Sequence, residues 1–314
     1  MANFDVFNGD ADGIISLVQL RLASPLHSTL ITGYKRDINL LSRVDAGIND
    51  NVVALDISMR SNKKDLIRIL GEGAKVLYID HHNSGEIPEN ENLEAIINTS
   101  PEMCTAMLVD MHLDGAYRAW AVTAAFGDNF PKLARRKSEG YNFPLESLSR
   151  LGRLINYNSY GSSLSDLLYE PSELYSMLVK YKDPMLFLRE NGAIIDLLEE
   201  QYDGDMLLAE KSEILDCTKT GKILILENTV GSRRISGVFG NKLSQKYPNM
   251  AHAILTHKKD GYMVSIRSPI ASGVGSDELA LKFKSGGGRP AAAGINFLGE
   301  HDLEGFIEAF RKAF

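Results

Sequence analysis

The sequence predicts an α/β chain: a doubly wound parallel sheet, then a smaller α/β domain. Three observations carry this. Short apolar runs at residues 4–7, 52–57 and 73–79 alternate with stretches of helical spacing at residues 14–22 and 63–70, and that alternation is the mark of a parallel sheet. Acidic or imidazole residues stand at the end of each of these runs, the edge where open α/β sheets place their ligands. The 314 residues are also long for one compact core, so two domains are expected.

Val76-Leu77-Tyr78-Ile79 reads as a buried strand, and Asp80-His81-His82 follows it. A carboxylate beside two imidazoles makes poor core material and good metal ligands; a His pair on a wet loop is the alternative. Residues 4–7 read as the first strand. The loop Asn8-Gly9-Asp10-Ala11-Asp12-Gly13 leads into a helix, so Asp10 and Asp12 can point into one pocket or belong to an Asx-rich cap. A calcium loop fails, because the later Gly and Glu of an EF-hand are missing. Residues 28–33 are a further strand. Asp56 stands near the end of the apolar run 52–57, where an ionised carboxylate is costly without a cation or hydrogen bonds; Ser58 and Ser61 are better placed to cap the next helix. Asp10, Asp12, Asp56, Asp80, His81 and His82 are therefore expected to converge.

Residues 93–98 read as one more strand. Thr99-Ser100-Pro101-Glu102 reads as a helix start, with the helix running through Met111. Residues 116–126 form a second apolar helix, just past which lies Asp128. His27, His112, His252, His257 and His301 lack comparable acidic neighbours and read as surface or packing residues.

The composition is that of an ordinary globular protein, 44% hydrophobic and 24% charged. Lys+Arg 34 against Asp+Glu 41 leaves a net charge of -7, and the longest basic block is Arg135-Arg136-Lys137. Long nucleic acid is thereby disfavoured, whereas a small phosphorylated substrate is not. Cys104 and Cys217 form no CxxC pair and read as buried thiols, which suits a reducing cytoplasm. No leader pattern or apolar run of membrane-spanning length is visible, so no membrane partner is expected.

In the second half, residues 132–166 are rich in helix signals, with 156–161 as a polar aromatic turn. Residues 184–216 read as one long helix connecting to a domain that starts near Thr218. Strands are expected at 222–226, 251–256 and 262–267, and helices at 235–245, 276–283 and 302–313. Gly286-Gly287-Gly288 is expected outside helix and strand interiors, as a flexible linker or as backbone approaching a ligand. Arg289 beside it and Arg267 at a strand end favour an anion site, since Arg grips phosphate bidentately. Arg233-Arg234 reads as a solvated pair.

The residues 8–13, Val53-Ala54-Leu55-Asp56, Asp80-His81-His82 and Ala125-Phe126-Gly127-Asp128-Asn129 resemble, in order, the four motifs of the DHH phosphoesterases. Ser265-Ile266-Arg267-Ser268 and residues 285–294 look like the associated DHHA1 domain, so the resemblance frames almost the whole chain. Its nearest subgroup is nanoRNase-like. The resemblance implies a metal-binding DHH domain over residues 1–185, a connecting helix over 186–217, a DHHA1 domain over 218–314, and an active-site cleft between the domains. It implies two Mn²⁺ ions, with Mg²⁺ as the alternative. Asp10 would ligate the first ion and Asp12 the second, Asp56 would bridge them, and His81 and Asp128 would complete the ligand set of the second ion. Asp80 would support the first ion or its water, and His82 would face the scissile phosphate. Arg267, Ser268, Gly286, Gly287, Gly288 and Arg289 would bind substrate. The implied activity is a cytoplasmic phosphoric diester hydrolase cutting short linear oligonucleotides, best pGpG or pApA left from cyclic dinucleotide signalling. A pyrophosphatase or polyphosphatase, or a dinucleotide sensor without catalysis, is the rival; a homodimer is left open. The chain departs from the family pattern twice: Val6 and Asn8 stand where many members have a His, and Arg289 replaces the His that usually ends the Gly-Gly-Gly motif.

Overall fold

The computed structural model describes all residues, Met1–Phe314. They form two units, Met1–Glu199 and Glu200–Phe314. No helix is long and apolar enough to cross a membrane.

In the first unit the order is β1 (Asn3–Phe7), α1 (Ala11–Ala23), β2 (Thr29–Ile31), β3 (Asn51–Leu55), α2 (Met59–Gly71), β4 (Lys75–Asp80), β5 (Leu93–Ile97), α3 (Thr105–His112), α4 (Arg118–Gly127), α5 (Pro131–Lys137), α6 (Leu145–Ser159), α7 (Pro171–Leu178) and α8 (Pro184–Glu190). The five strands are all parallel, in the order β2-β1-β3-β4-β5. That order reverses between β1 and β3, which makes their carboxyl edge the switch point of the sheet. The strands end level there: Phe7 pairs with Leu55, and Leu55 with Ile79. One face buries Val6, Val52, Ala54, Val76 and Tyr78 against Leu66 and Ile69 of α2. On the other side α1 is covered in turn by α3, α4, α6 and α7. This explains why α1 is buried on every side over residues 11–21 instead of showing one apolar stripe. Asp5, inside β1, is held by Arg21 of α1 through both carboxylate oxygens.

The second unit begins within α9 (Gly192–Ala209) and continues with β6 (Glu213–Cys217), β7 (Gly221–Leu226), α10 (Val230–Lys246), β8 (Ala251–Lys258), β9 (Gly261–Arg267), α11 (Ser276–Ala280), β10 (Gly286–Arg289), β11 (Ala292–Gly299) and α12 (Leu303–Ala313). Its six-stranded sheet, β10-β11-β9-β8-β7-β6, is antiparallel except for β7–β8, which are parallel and joined through α10. Phe306 and Phe310 of α12 seal its core with Ile223, Leu255, Val264 and Ile295.

Several expectations need correction. The helix expected at 184–216 is broken at Asn191, and its last part is the edge strand β6. Ile214 of β6 is exposed, so the strand lacks the alternation that would reveal it. Gly286, Gly287 and Gly288 do form a strand, β10, at the opposite edge. A Cβ at Gly286 would stand 1.8 Å from the Ala280 carbonyl oxygen, and at Gly288 2.4 Å from Ala293 Cα, so close packing demands these two glycines. Residues 156–159 are not part of a turn between helices but the buried last turn of α6. Cys217 is exposed, unlike Cys104. Arg234 is buried against Asp205 rather than solvated.

Helices α4 and α6 approach through glycines. A Cβ on Gly152 would meet the Thr123 carbonyl oxygen at 2.1 Å, and one on Gly127 would meet Ala11 Cβ at 2.5 Å. We expect Gly152→Ala to destabilise the chain by about 1–3 kcal/mol through overpacking, read as a lower thermal midpoint. Gly204→Ala, in α9 with no atom near the added methyl, should leave the midpoint unchanged or raise it.

Candidate metal centre

The level strand ends bring carboxylates and imidazoles together. Asp10 follows β1 and caps α1, its Oδ1 accepting from the backbone N–H of Asp12 (3.0 Å) and Gly13 (3.1 Å). Asp56 follows β3 with φ at 57°, a left-handed conformation that Asp tolerates better than most residues. Its N–H donates to the Ile79 carbonyl (3.1 Å), and its Oδ1 accepts from the Thr105 hydroxyl (2.9 Å). Asp80 ends β4, and His81 and His82 follow with their rings edge to face. Asp128 terminates α4. Apart from His82, which is partly exposed, all of these side chains are buried.

Asp12 has a second task. The N-terminus of α3 has no side-chain cap of its own, since Cys104 precedes it. Its first N–H groups, from Thr105 and Ala106, donate to Asp12 Oδ2 (2.7 Å) and Oδ1 (2.8 Å). The helix therefore begins at Thr105 and not near the expected Thr99: the cap comes from another part of the chain.

The tautomer of His81 follows from its neighbours. Nδ1 lies 2.7 Å from the Met103 carbonyl oxygen, which can only accept, so Nδ1 carries the proton. Nε2 then faces Asp56 Oδ1 at 3.5 Å, Asp12 Oδ2 at 3.8 Å and Asp128 Oδ2 at 3.9 Å. Four electron-rich atoms aimed at one point repel unless a cation lies among them. A ring N–H tied to a backbone carbonyl is also how metal-bound histidines are oriented. His81 belongs to two groupings able to hold an ion, with Asp12 and Asp128 or with Asp56 and His82. His82 Nδ1 donates to Asp80 Oδ1 (2.7 Å).

The electrostatics agree. Burial first, then the Asp128 and Asp10 charges, push the Asp12 carboxyl up to about 7, against the two backbone N–H groups that lower it. Burial, then Asp10, Asp12, Asp128 and Asp80, hold Asp56 well above the ordinary carboxylate range. Two buried oxygens, Asp80 Oδ2 and Asn8 Oδ1, have no hydrogen-bond partner. Hard oxygen donors with one imidazole, crowded and partly unsatisfied, fit a divalent cation such as Mn²⁺ or Mg²⁺.

One charged residue at this centre has no counterpart in the sequence expectations: Lys35, in the loop after β2. Its ammonium pairs with Asp10 Oδ2, Asp128 Oδ1 (3.1 Å) and Asn156 Oδ1 (3.3 Å). Burial opposes its charge, but Asp10, Tyr160 and Asp128 outweigh that and raise its pKa well above normal. The signal that could have found it is position alone, since the β2 loop opens on the same sheet edge.

The expected substrate-binding residues lie in the second unit. Arg267 donates to Asn241 Oδ1 (2.7 Å) and to the Gly237 carbonyl (3.0 Å), tying β9 to α10. The Ser268 hydroxyl accepts from the Ser276 N–H (3.1 Å) and lies 2.8 Å from the Pro290 carbonyl oxygen. Arg289 ends the edge strand β10.

No family model matches the chain, and no curated protein matches it. Solved structures do. A DHH-domain structure, described as a member of a family of ribosomal proteins, aligns over 99% of this chain and 86% of its own at 15% identity, with a TM-score of 0.66. The manganese-bound exonuclease RecJ aligns over 99% and 90% at 16% identity, with a TM-score of 0.57. A pGpG-specific phosphodiesterase of Vibrio cholerae aligns over the full length of both chains at 15% identity, with a TM-score of 0.58. The chain therefore has the fold of the DHH-domain proteins, over both units.

The raised Asp12 pKa has a pH consequence. Between the ordinary 3.8 and about 7 the folded chain holds a proton that the unfolded chain releases, so this group erodes stability as pH rises through that range. An ion that takes the ionised carboxylate reverses the penalty. We expect Mn²⁺ to raise the thermal midpoint of chelator-treated protein more at about pH 8 than at about pH 5. Equal increments in scanning fluorimetry would contradict this reading.

Proposed function

We propose that the chain is a divalent-metal-dependent phosphodiesterase that cuts short linear oligonucleotides, best 5′-phosphorylated dinucleotides such as pGpG or pApA, to nucleoside 5′-monophosphates. The observation that carries this is the convergence of the His81 Nε2 lone pair with Asp12, Asp56 and Asp128 at 3.5–3.9 Å. Such a donor set supports Mn²⁺ first and Mg²⁺ second. The likeness in fold to a pGpG-specific phosphodiesterase supports the substrate class, as does the absence of a basic track along the sequence.

Asp12, Asp56, His81 and Asp128 would hold a divalent ion, which would supply a water ligand of lowered pKa and charge compensation for the phosphoryl oxygens. The chain's own groups do the rest. In hydrolysis a water oxygen bonds to phosphorus, the bond from phosphorus to the 3′ oxygen breaks, and that oxygen takes up a proton. His82 suits the donor role. Asp80 fixes its Nδ1–H, leaving Nε2 to hold and release the proton, and the ring is the partly exposed member of the cluster. In the second unit, Arg289 and the backbone of β10 at the sheet edge are the candidates for anion contacts.

With Mn²⁺, pGpG should yield GMP faster than pyrophosphate yields orthophosphate. Asp56→Asn and His81→Ala should each lower turnover by about 10²–10⁴-fold, the worth of several kcal/mol of transition-state stabilisation. Faster release from pyrophosphate would favour the pyrophosphatase reading. Intact pGpG after prolonged incubation, analysed by chromatography, would instead indicate a dinucleotide-binding sensor.

A further inference from the structure

The two oxygens of Asp128 face two different places. Oδ2 lies on the side of His81 Nε2, with Asp12 and Asp56, while Oδ1 contacts the Lys35 ammonium at 3.1 Å. A carboxylate divided in this way is the usual bridge of a two-ion centre, whose cations sit about 3.5–4 Å apart. Here one of the two positions already holds a cation belonging to the chain.

We propose that Lys35 stands in for the second cation of this centre, so that the chain takes up one divalent ion rather than two. This rests on the reading of the cluster as a metal centre and narrows it. Three observations support it. The ammonium has three N–H donors, and three oxygens receive them: Asp10 Oδ2, Asp128 Oδ1 and Asn156 Oδ1. Asp10 has little left to offer an ion, since its other oxygen already accepts two backbone N–H groups as the cap of α1. The first strand and its loop supply no replacement ligand of strength: Val6 has no donor atom, and Asn8 has only a neutral amide oxygen.

Lys35 is also built into its position. Its backbone N–H donates to the Ser159 carbonyl at the end of α6 (2.9 Å), and its ammonium lies 5.4 Å from the centre of the Tyr160 ring. The same helix supplies Asn156. One short segment, the end of α6, therefore fixes the backbone, one face and one acceptor of the lysine.

The test is a metal count. Metal-free protein is equilibrated with Mn²⁺, bound Mn is measured by elemental analysis per chain, and bound spins are examined by electron paramagnetic resonance. The expected result for the native chain is one Mn²⁺, with the signal of an isolated ion. Two ions per chain, or the signal of an exchange-coupled pair, overturns the proposal. Lys35→Met, which removes the charge, should admit a second Mn²⁺ in excess metal, held weakly because the ligands left at that position are poor, and Lys35→Arg should keep the count at one. A folded Lys35→Met protein that binds no second ion even in excess Mn²⁺ also overturns it. The native count decides the matter even where the Met variant does not fold. Because the count needs no substrate, it separates the two readings. Turnover of pGpG with two bound ions removes this inference and leaves the proposed function, whereas one bound ion without any turnover does the reverse.

Discussion

Five buried carboxylates share the carboxyl edge of one parallel sheet, and their mutual repulsion is the constraint to which the surrounding structure answers. Asp10, Asp12, Asp56, Asp80 and Asp128 arrive from three strand ends and one helix end. Removing an ionised carboxylate from water is costly unless it is paired or hydrogen-bonded, and each added neighbour of like sign raises the cost. Every nearby feature reduces it. Backbone N–H groups of α1 and α3 are directed at Asp10 and Asp12. The Thr105 hydroxyl serves Asp56, and His82 serves Asp80. Lys35 serves Asp10 and Asp128 together. Asp12, Asp56 and Asp128 nonetheless crowd within 3.9 Å of His81 Nε2, and that gathering of acceptors suits a cation better than it suits a settled polar core.

Folding and function are coupled here through helix ends. The carboxylate of Asp12 is both a candidate ligand and the only side-chain cap at the start of α3. Asp128 is both a candidate ligand and the end of α4, whose close approach to α6 depends on Gly127 and Gly152. A cation at the centre therefore bears on two helix positions as well as on chemistry. The backbone carries strain in the same places: Asp56 and Asn129, each turning the chain beside a buried carboxylate, have positive φ. Such residues persist only where the surrounding packing over-determines them.

Much of this is legible in the sequence, and the parts that are not share one cause. The strands β1, β3 and β4 are short apolar runs buried on both faces, so their local pattern identifies them, and the level edge follows from topology rules. The edge strands β6 and β10 have no such pattern. One exposes Ile214, and the other is written in glycine because α11 and β11 lie too close for side chains. The start of α3 escapes a local reading because its cap, Asp12, lies 93 residues from the N–H of Thr105. Lys35 escapes on the same grounds: its three acceptors stand 25, 93 and 121 residues away, and a lysine between Tyr34 and Arg36 has no local mark of burial. Interactions that only tertiary proximity creates leave no local trace.

The weak donor just after the first strand and the partly buried lysine explain one another. Asn8 follows the first strand at the same sheet edge, and its amide oxygen is buried and without a partner. A neutral amide oxygen is a weak ligand, and together with Asp10 it makes a poor shell for a divalent ion. An ammonium makes smaller demands. It needs three oxygen acceptors and no fixed coordination geometry, and its stem can be packed like any apolar chain. Placing a lysine at this edge therefore preserves the charge compensation that the buried carboxylates require while removing the need for a strong ligand on β1. What it does not preserve is Lewis acidity, because an ammonium can donate hydrogen bonds but cannot lower the pKa of a water ligand as a metal ion does. On that proposal the two sides of Asp128 are unequal in chemistry though alike in the sign of their charge: a divalent ion on one side would activate water, and the ammonium on the other can only hold anionic oxygens in place.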